Sequence, residues 1–345
     1  MPRSTATVLV LCAAAAACAT TSRRLAYTPA ELEEYLRARL PADEVVVPYA
    51  ISPAHAARLQ RELLGVQSDR GKVEAIITAL FDRRVFGLTY RAGTPGTAEE
   101  TLARGGGDCL ALASVFIGLA REVGLEANYV DVSVRVHETQ YLGEGTAVNL
   151  GHVTAVVRIG AERYALDFED AGRVVWYRVM DDAEAVAHLL NNRGYALLDE
   201  AESAGRAPDR AAVGRLFRAA LSVKPDFARG WNNLGLAEAH LQRPDQAIAD
   251  YRKAIALDGS LAAAHANLAS LYLGRDDLAD AEEQLAAAVR IDPTSAHAQY
   301  MLGVVRLRSG DRAGARQALE RALTLRAGWK QAEELLASLK AGGEG

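Results

Sequence analysis

From Val73 the apolar positions fall three and four residues apart. Val73, Ile76, Ile77, Leu80 and Phe81 make one face of a helix that Ser68 would cap. Two earlier starts carry more signal. Thr28-Pro29-Ala30-Glu31 supplies an N-cap, a proline at the first helical position and a capping-box glutamate, and Ser52-Pro53 repeats the cap and the proline. Thr97 caps a short helix over AEETLARG, and Gly105 to Gly107 break the chain. Leu110 to Val123 then reads as a helix apolar nearly all round, ended by Gly124. After it the period changes. ANYVDVSVRV, HVTAVVRI and RYALDFE are alternating or β-branched and predict strands, the last two joined by a tight turn at Gly160-Ala161. VVWYRVM is a further strand candidate, and HETQYLGEGTAVNLG a loop or hairpin tip. Helices followed by an antiparallel sheet make the region from Ala50 to about Met180 an α+β domain.

From about Glu184 only helices are predicted, and the pattern repeats. Trp231, Leu234, Gly235, Ala247, Tyr251 and Ala254 recur 34 residues later as His265, Leu268, Ala269, Ala281, Leu285 and Ala288. A further period gives Gln299, Leu302, Gly303, Ala315, Leu319 and Ala322. Pro225 and Pro293 close repeats at matching points. This register resembles a tetratricopeptide array, an all-α solenoid. Phe217, Ala220 and Pro225 mark a degenerate earlier repeat whose first helix would lie near Arg193 to Ser203, and Trp329 to Leu339 reads as a capping helix. Such stacks present a concave surface. The inner-helix positions here are Asn232, Leu236, Ala239, His240, Ala266, Ser270, Leu273, Val304 and Arg308, a mixed and weakly charged groove. Asn232, Leu236, His240, Ala266, Ser270 and Arg308 are its candidate peptide-binding residues. The alternative is that the array packs only on the first domain or on a copy of itself.

Composition changes the picture mainly at the N-terminus. The 345 residues are half hydrophobic with a net charge of −5, enough for two domains, and no basic stripe points to nucleic acid. MPRSTATVLVLCAAAAACATTS has one basic residue and an apolar run from Ala6 to Ala17, too short to span a bilayer as a mature helix and expected to act as an export signal. Ala15-Ala16-Ala17-Cys18 resembles a bacterial lipobox, although leucine is usual where Ala15 stands. That resemblance implies cleavage before Cys18, lipidation of Cys18 and, with Ala19 next, an outer-membrane lipoprotein on the periplasmic face. Cys12 follows Leu11 and is a poorer candidate; a soluble secreted protein cut near Ala17 or Ala19 is the alternative. The expected divisions are a leader over 1–18, a tether over 19–27, a first domain over 28–183 with its core at about 68–180, and repeats over 184–342.

Of three cysteines, Cys12, Cys18 and Cys109, only Cys109 lies in a folded domain, so no disulfide is expected within the mature chain. Asp108 would cap the helix behind it. A thiol in the first helical turn faces N–H groups and the positive end of the dipole, which favour a thiolate. The same N–H groups suit an oxyanion. An ordinary buried cysteine is the competing reading. A base is available at His152, at the head of HVTAVVRI. With a two-residue turn, position 152 pairs with 169 and 154 with 167, so Asp167 shares a face with His152 one diagonal step away and Glu169 stands directly opposite. A carboxylate there would fix the histidine tautomer. His137 is a second candidate base. No Cys/His spacing suggests a metal, and no cofactor is expected.

GGGDCLALASVFIGLAREVGLEANYV, then GHVTAVVRIGAERYALDFE, resembles the transglutaminase-like superfamily, with its papain-like Cys-His-Asp core, over about Leu88 to Glu169. The resemblance implies Cys109 as nucleophile, His152 as base and Asp167 as its orienting carboxylate, with Tyr90 a candidate oxyanion donor. Leu110 and Val153 stand where the family often has aromatics. A domain of this kind before tetratricopeptide repeats, behind a lipobox, resembles a group of bacterial envelope lipoproteins. The expected activity is cysteine-dependent amide hydrolysis or acyl transfer on a protein or peptide. The alternative is an inactive scaffold in which the repeats bind a partner. A redox-sensing thiol is disfavoured because no resolving cysteine exists.

Overall fold

The computed structural model describes residues 7–11, 25–132, 140–142, 146–148, 152–168 and 177–341. Cys12, Cys18, His137 and Glu169 therefore lie outside the described residues, as does the side chain of Asp167. The chain divides into two compact units, Met1–Val136 with Gly151–Pro225, and His137–Leu150 with Asp226–Gly345.

In the first unit the local caps form as their residue types dictate. Thr28 closes a capping box with Glu31 at the start of α1 (Pro29–Arg37), and Ser52 caps α2 (Pro53–Glu62). Ser68 caps α3 (Asp69–Phe81), and Thr97 with Glu100 makes a second capping box on α4 (Ala98–Arg104). The helix over α5 (Cys109–Glu122) is buried at every position from Leu110 to Ala120. It packs on the antiparallel strands β4 (Glu126–Asp131) and β7 (Val153–Ile159). Gly118 sits where a Cβ would stand 2.3 Å from the Tyr49 carbonyl oxygen, so the segment before α2 lies directly against the helix backbone.

The sheet runs in the order β1 (Thr7–Leu11), β8 (Glu162–Asp167), β7, β4, β9 (Arg178–Met180). All its pairings are antiparallel. The β7–β8 register is Ala155↔Leu166 and Ile159↔Glu162, which is the register that a two-residue turn at Gly160-Ala161 requires. Part of the apolar run expected to be an export signal, Thr7–Leu11, forms the edge strand on β8 in the full chain, with Thr7 opposite Asp167. Removal of a leader over 1–18 would expose that edge.

The all-helical region begins with α6 (Asp182–Ser203) and α7 (Arg210–Val223), and both count with the sheet unit. An ion pair ties the start of α6 to this unit. Asp182, fully buried, accepts from Arg121 Nη1 and Nη2 at 2.8 and 2.9 Å and from the Tyr27 N–H at 2.9 Å. The start of α6 is thereby fastened to the end of α5. Arg178 of β9 makes a second clamp on Glu184 of α6 at 2.6 and 3.0 Å. Burial alone would raise the Glu184 pKa, but the bonds and charge of Arg178 outweigh it and hold the carboxyl below its usual range.

The second unit is built from antiparallel helix pairs: α8 (Ala228–His240) with α9 (Pro244–Leu257), α10 (Ala262–Gly274) with α11 (Leu278–Ile291), and α12 (Ala296–Arg308) with α13 (Arg312–Leu325). The recurring small residue explains how closely each pair approaches. A Cβ on Gly235 would meet the Tyr251 ring at 2.8 Å, and one on Gly303 would meet Leu319 at 2.8 Å. α14 (Lys330–Ala341), through Ala332 and Leu336 and with Trp329 just before it, packs on Ala315 and Leu319 of the last pair.

Candidate functional site

The glycines before Cys109 do structural work that can be named residue by residue. β2 (Thr89–Tyr90) and β3 (Gly106–Gly107) pair in parallel, Thr89↔Gly106 and Tyr90↔Gly107. The Thr89 N–H donates to the Gly105 carbonyl at 3.2 Å and the Arg91 N–H to the Gly107 carbonyl at 2.9 Å. Gly106 has φ +156°, and a Cβ there would stand 2.3 Å from the Thr89 carbonyl oxygen, so only glycine lets the two strands meet. Arg104 Nε donates to the Gly106 carbonyl at 3.2 Å and closes the loop from the other side.

This loop delivers the chain to α5. Asp108 is the N-cap: its carboxylate accepts from the Ala111 N–H at 2.9 Å and its carbonyl from the Leu112 N–H at 3.0 Å. Cys109 is the first residue of the helix and is half-buried, at the positive end of the dipole. Behind it the helix is pinned by the Tyr129 hydroxyl, which donates to Ser114 Oγ at 2.9 Å, and that oxygen donates on to the Leu110 carbonyl at 2.9 Å. Burial pushes the Tyr129 hydroxyl well above its usual pKa, so it stays a neutral donor.

His152 immediately precedes β7, the strand against which α5 packs, and is half-buried with its Nε2 atom fully enclosed. Its carbonyl accepts from the Val132 N–H at 2.9 Å, which ties it to the end of β4. Asp167 ends β8. The Ala155↔Leu166 register sets 154 opposite 167 and leaves Asp167 one diagonal step from 152. The Thr154 hydroxyl donates to the Leu166 carbonyl and fastens the two strands at that level. Tyr90, half-buried, stands opposite Gly107, two residues ahead of Cys109. Cys109, His152, Asp167 and Tyr90 thus sit on elements that the fold packs or pairs with one another. Among the described residues no group of three His, Cys, Asp or Glu side chains could hold a metal ion.

A family model of the transglutaminase-like superfamily matches residues 57–179, and tetratricopeptide-repeat models match 228–261 and 266–332. The chain carries a transglutaminase-like domain followed by tetratricopeptide repeats. A curated Drosophila melanogaster protein, the BBSome complex member BBS4 homolog, is 32% identical over 107 residues, which is 31% of this chain and 22% of that protein. The chain thus spans about a fifth of that relative's length. Among solved structures, MamA is similar at 24% identity and a TM-score of 0.38, covering 42% of this chain and 82% of that one. Pseudomonas aeruginosa PilF is similar at 21% and 0.41, covering 47% and 69%. The first repeat domain of Spaghetti (RPAP3), solved with an HSP90 peptide, is similar at 23% and 0.33, covering 33% and 91%.

In the repeats the candidate groove residues do not form one open row. Asn232, Leu236 and Ala266 are buried. Asn232 Nδ2 donates to Asn233 Oδ1 at 3.0 Å, and Asn267 Nδ2 to Asn232 Oδ1 at 3.0 Å. Ser270 Oγ donates to its own helix at Ala266, His240 is half-buried, and Arg308 is ion-paired with Asp276 at 2.6 Å. Asn267 adds a buried polar residue that the inner-helix positions above do not include. Its spacing of 34 residues from Asn233 is the signal that marks it.

Proposed function

We propose that the transglutaminase-like domain is a cysteine-dependent acyl-transfer domain for protein or peptide amides and that the repeats hold its protein partner. The observation that supports this most is Cys109 at the first position of a helix buried from Leu110 to Ala120, with His152 and Asp167 carried on the strands packed and paired beside it. In this reading the Cys109 thiolate attacks the amide carbonyl, the C–N bond breaks, and His152 passes the thiol proton to the departing amine. Water or a second amine then cleaves the thioester. Asp167 holds the imidazole in its donating tautomer, and the first turn of α5 with Tyr90 faces the oxyanion. Export and lipidation at Cys18 would set this chemistry at the periplasmic face of the envelope.

The test uses p-nitrophenyl acetate, which acylates an activated thiol without demanding the natural substrate. A nitrophenolate burst, absent in Cys109→Ser and followed by turnover that methylamine accelerates, supports acyl transfer; turnover indifferent to methylamine supports hydrolysis. Equal rates for the native chain and Cys109→Ser would overturn the enzymatic reading and leave the scaffold.

A further inference from the structure

Two small sheets stand apart from the main one among the described residues. β5 (Gln140–Leu142) and β6 (Thr146–Val148) pair antiparallel, the arrangement that neighbours along the chain reach directly. β2 and β3 pair in parallel over two residues each, and β3 runs through Asp108 into Cys109. Parallel strands need a crossover, and a pair this short has too few bonds to hold itself. Here the crossover is the loop from Arg91 to Gly96 together with α4, and one of its own side chains ties it up.

That side chain is Arg104, the last residue of α4. Gly105 follows with φ +75°, and this left-handed turn brings the chain back past the Arg104 guanidinium. Nε donates to the Gly106 carbonyl at 3.2 Å. Nη2 donates to the Thr94 carbonyl at 3.3 Å and to the Pro95 carbonyl at 3.4 Å. The Thr94 carbonyl has a second lone pair, and with it accepts the Asp108 N–H at 3.2 Å. Gly96 leaves the room for this: a Cβ there would stand 2.7 Å from Nη2. One planar fork therefore spans β3 and the 94–96 loop, and the loop in turn holds the backbone of the residue before Cys109. Arg104 is exposed, so replacing it removes these bonds without opening the core.

We propose that Arg104 is a positioning residue for Cys109: its guanidinium binds the 94–96 loop to β3, and so keeps the Asp108 N–H on the Thr94 carbonyl and the first turn of α5 in the orientation from which the thiol reacts. The link to the thiol rests on the function proposed above; the hold on the loop does not. Arg193 supplies the comparison. It grips the same helix α4 through Glu100 Oε1 and Oε2 at 2.8 and 2.6 Å, and donates to none of these carbonyls.

Arg104→Gln, Arg104→Lys and Arg193→Gln are compared in the full chain by amide hydrogen exchange and by iodoacetamide alkylation of Cys109 across pH. In Arg104→Gln the Asp108 amide should exchange at least about tenfold faster, and in Arg193→Gln it should not change. Arg104→Lys should behave like Arg104→Gln, because an ammonium keeps the charge but not the fork. Native exchange at Asp108 in either Arg104 variant, or equal acceleration in Arg193→Gln, would overturn the hold on the loop. Alkylation at mildly acidic pH should slow about tenfold in Arg104→Gln, with the profile moved towards an ordinary thiol, and stay native in Arg193→Gln. Faster exchange with an unchanged profile would overturn the positioning role. A native chain whose Cys109 already reacts as an ordinary thiol would instead refute the function proposed above, and exchange at Asp108 would still decide the hold on the loop.

Discussion

Gly106→Ala tests how the site is built. The new Cβ would lie 2.3 Å from the Thr89 carbonyl oxygen and 2.8 Å from Thr89 Oγ1, against an ordinary contact beyond 3.4 Å. The neighbour is backbone, held by bonds to Gly105 and Gly107 on both sides, so it cannot withdraw without breaking the β2–β3 pair. A non-glycine residue at φ +156° adds backbone strain. Strain of about 1–3 kcal/mol and overpacking of about 1–3 kcal/mol give an expected loss of roughly 2–6 kcal/mol. Gly105→Ala is the internal control. It also has positive φ, +75°, but nothing within 4 Å, so its cost is the left-handed penalty alone, about 1–2 kcal/mol. Urea denaturation of the two variants gives the comparison. Iodoacetamide labelling of the folded proteins should also show slower reaction of Cys109 in Gly106→Ala, because Tyr90 and Gly107 shift with the strand pair. Equal stabilities for the two variants would refute the reasoning and mean that β2 yields freely.

Other outcomes follow from single contacts. Asp108→Ala should cost about 1 kcal/mol through loss of the cap to Ala111, while Asp108→Asn keeps most of that stability, both read by urea midpoint. Arg121→Met leaves the Asp182 carboxylate buried without its guanidinium and should cost about 3–5 kcal/mol, with α6 loosening first in hydrogen exchange. Burial, with Arg326 nearby, lowers the His297 pKa from 6.5 to about 4. The unfolded chain therefore takes up this proton first, and stability present above pH 6.5 is lost as pH falls towards 4. His297→Gln should reduce the loss between pH 7 and pH 5 by about 2 kcal/mol, measured by urea titration at both pH values.

What was legible in the sequence is what neighbours along the chain decide. Thr28, Ser52, Ser68, Thr97 and Asp108 cap the helices that their spacing announces, because a cap bond spans three residues. The Gly160-Ala161 turn sets the register that brings Asp167 near position 152, since a two-residue turn leaves no freedom in strand pairing. The 34-residue period likewise predicts each tight approach of Gly235 and Gly303. What was not legible depends on distant partners. α6 joins the sheet unit through Arg121 and Asp182, 61 residues apart, and no local pattern marks that pair. The burial of the groove candidate Asn232 likewise depends on Asn267 of the next repeat, 35 residues on.

The central claim is that Cys109 and His152 act as a pair. The pH dependence of Cys109 alkylation by iodoacetamide, in the native chain and in His152→Ala, tests it most directly. Rapid alkylation is expected already at mildly acidic pH in the native chain and, in His152→Ala, a profile moved towards that of an ordinary thiol. Superimposable profiles, or a thiol that reacts only after unfolding, would contradict it.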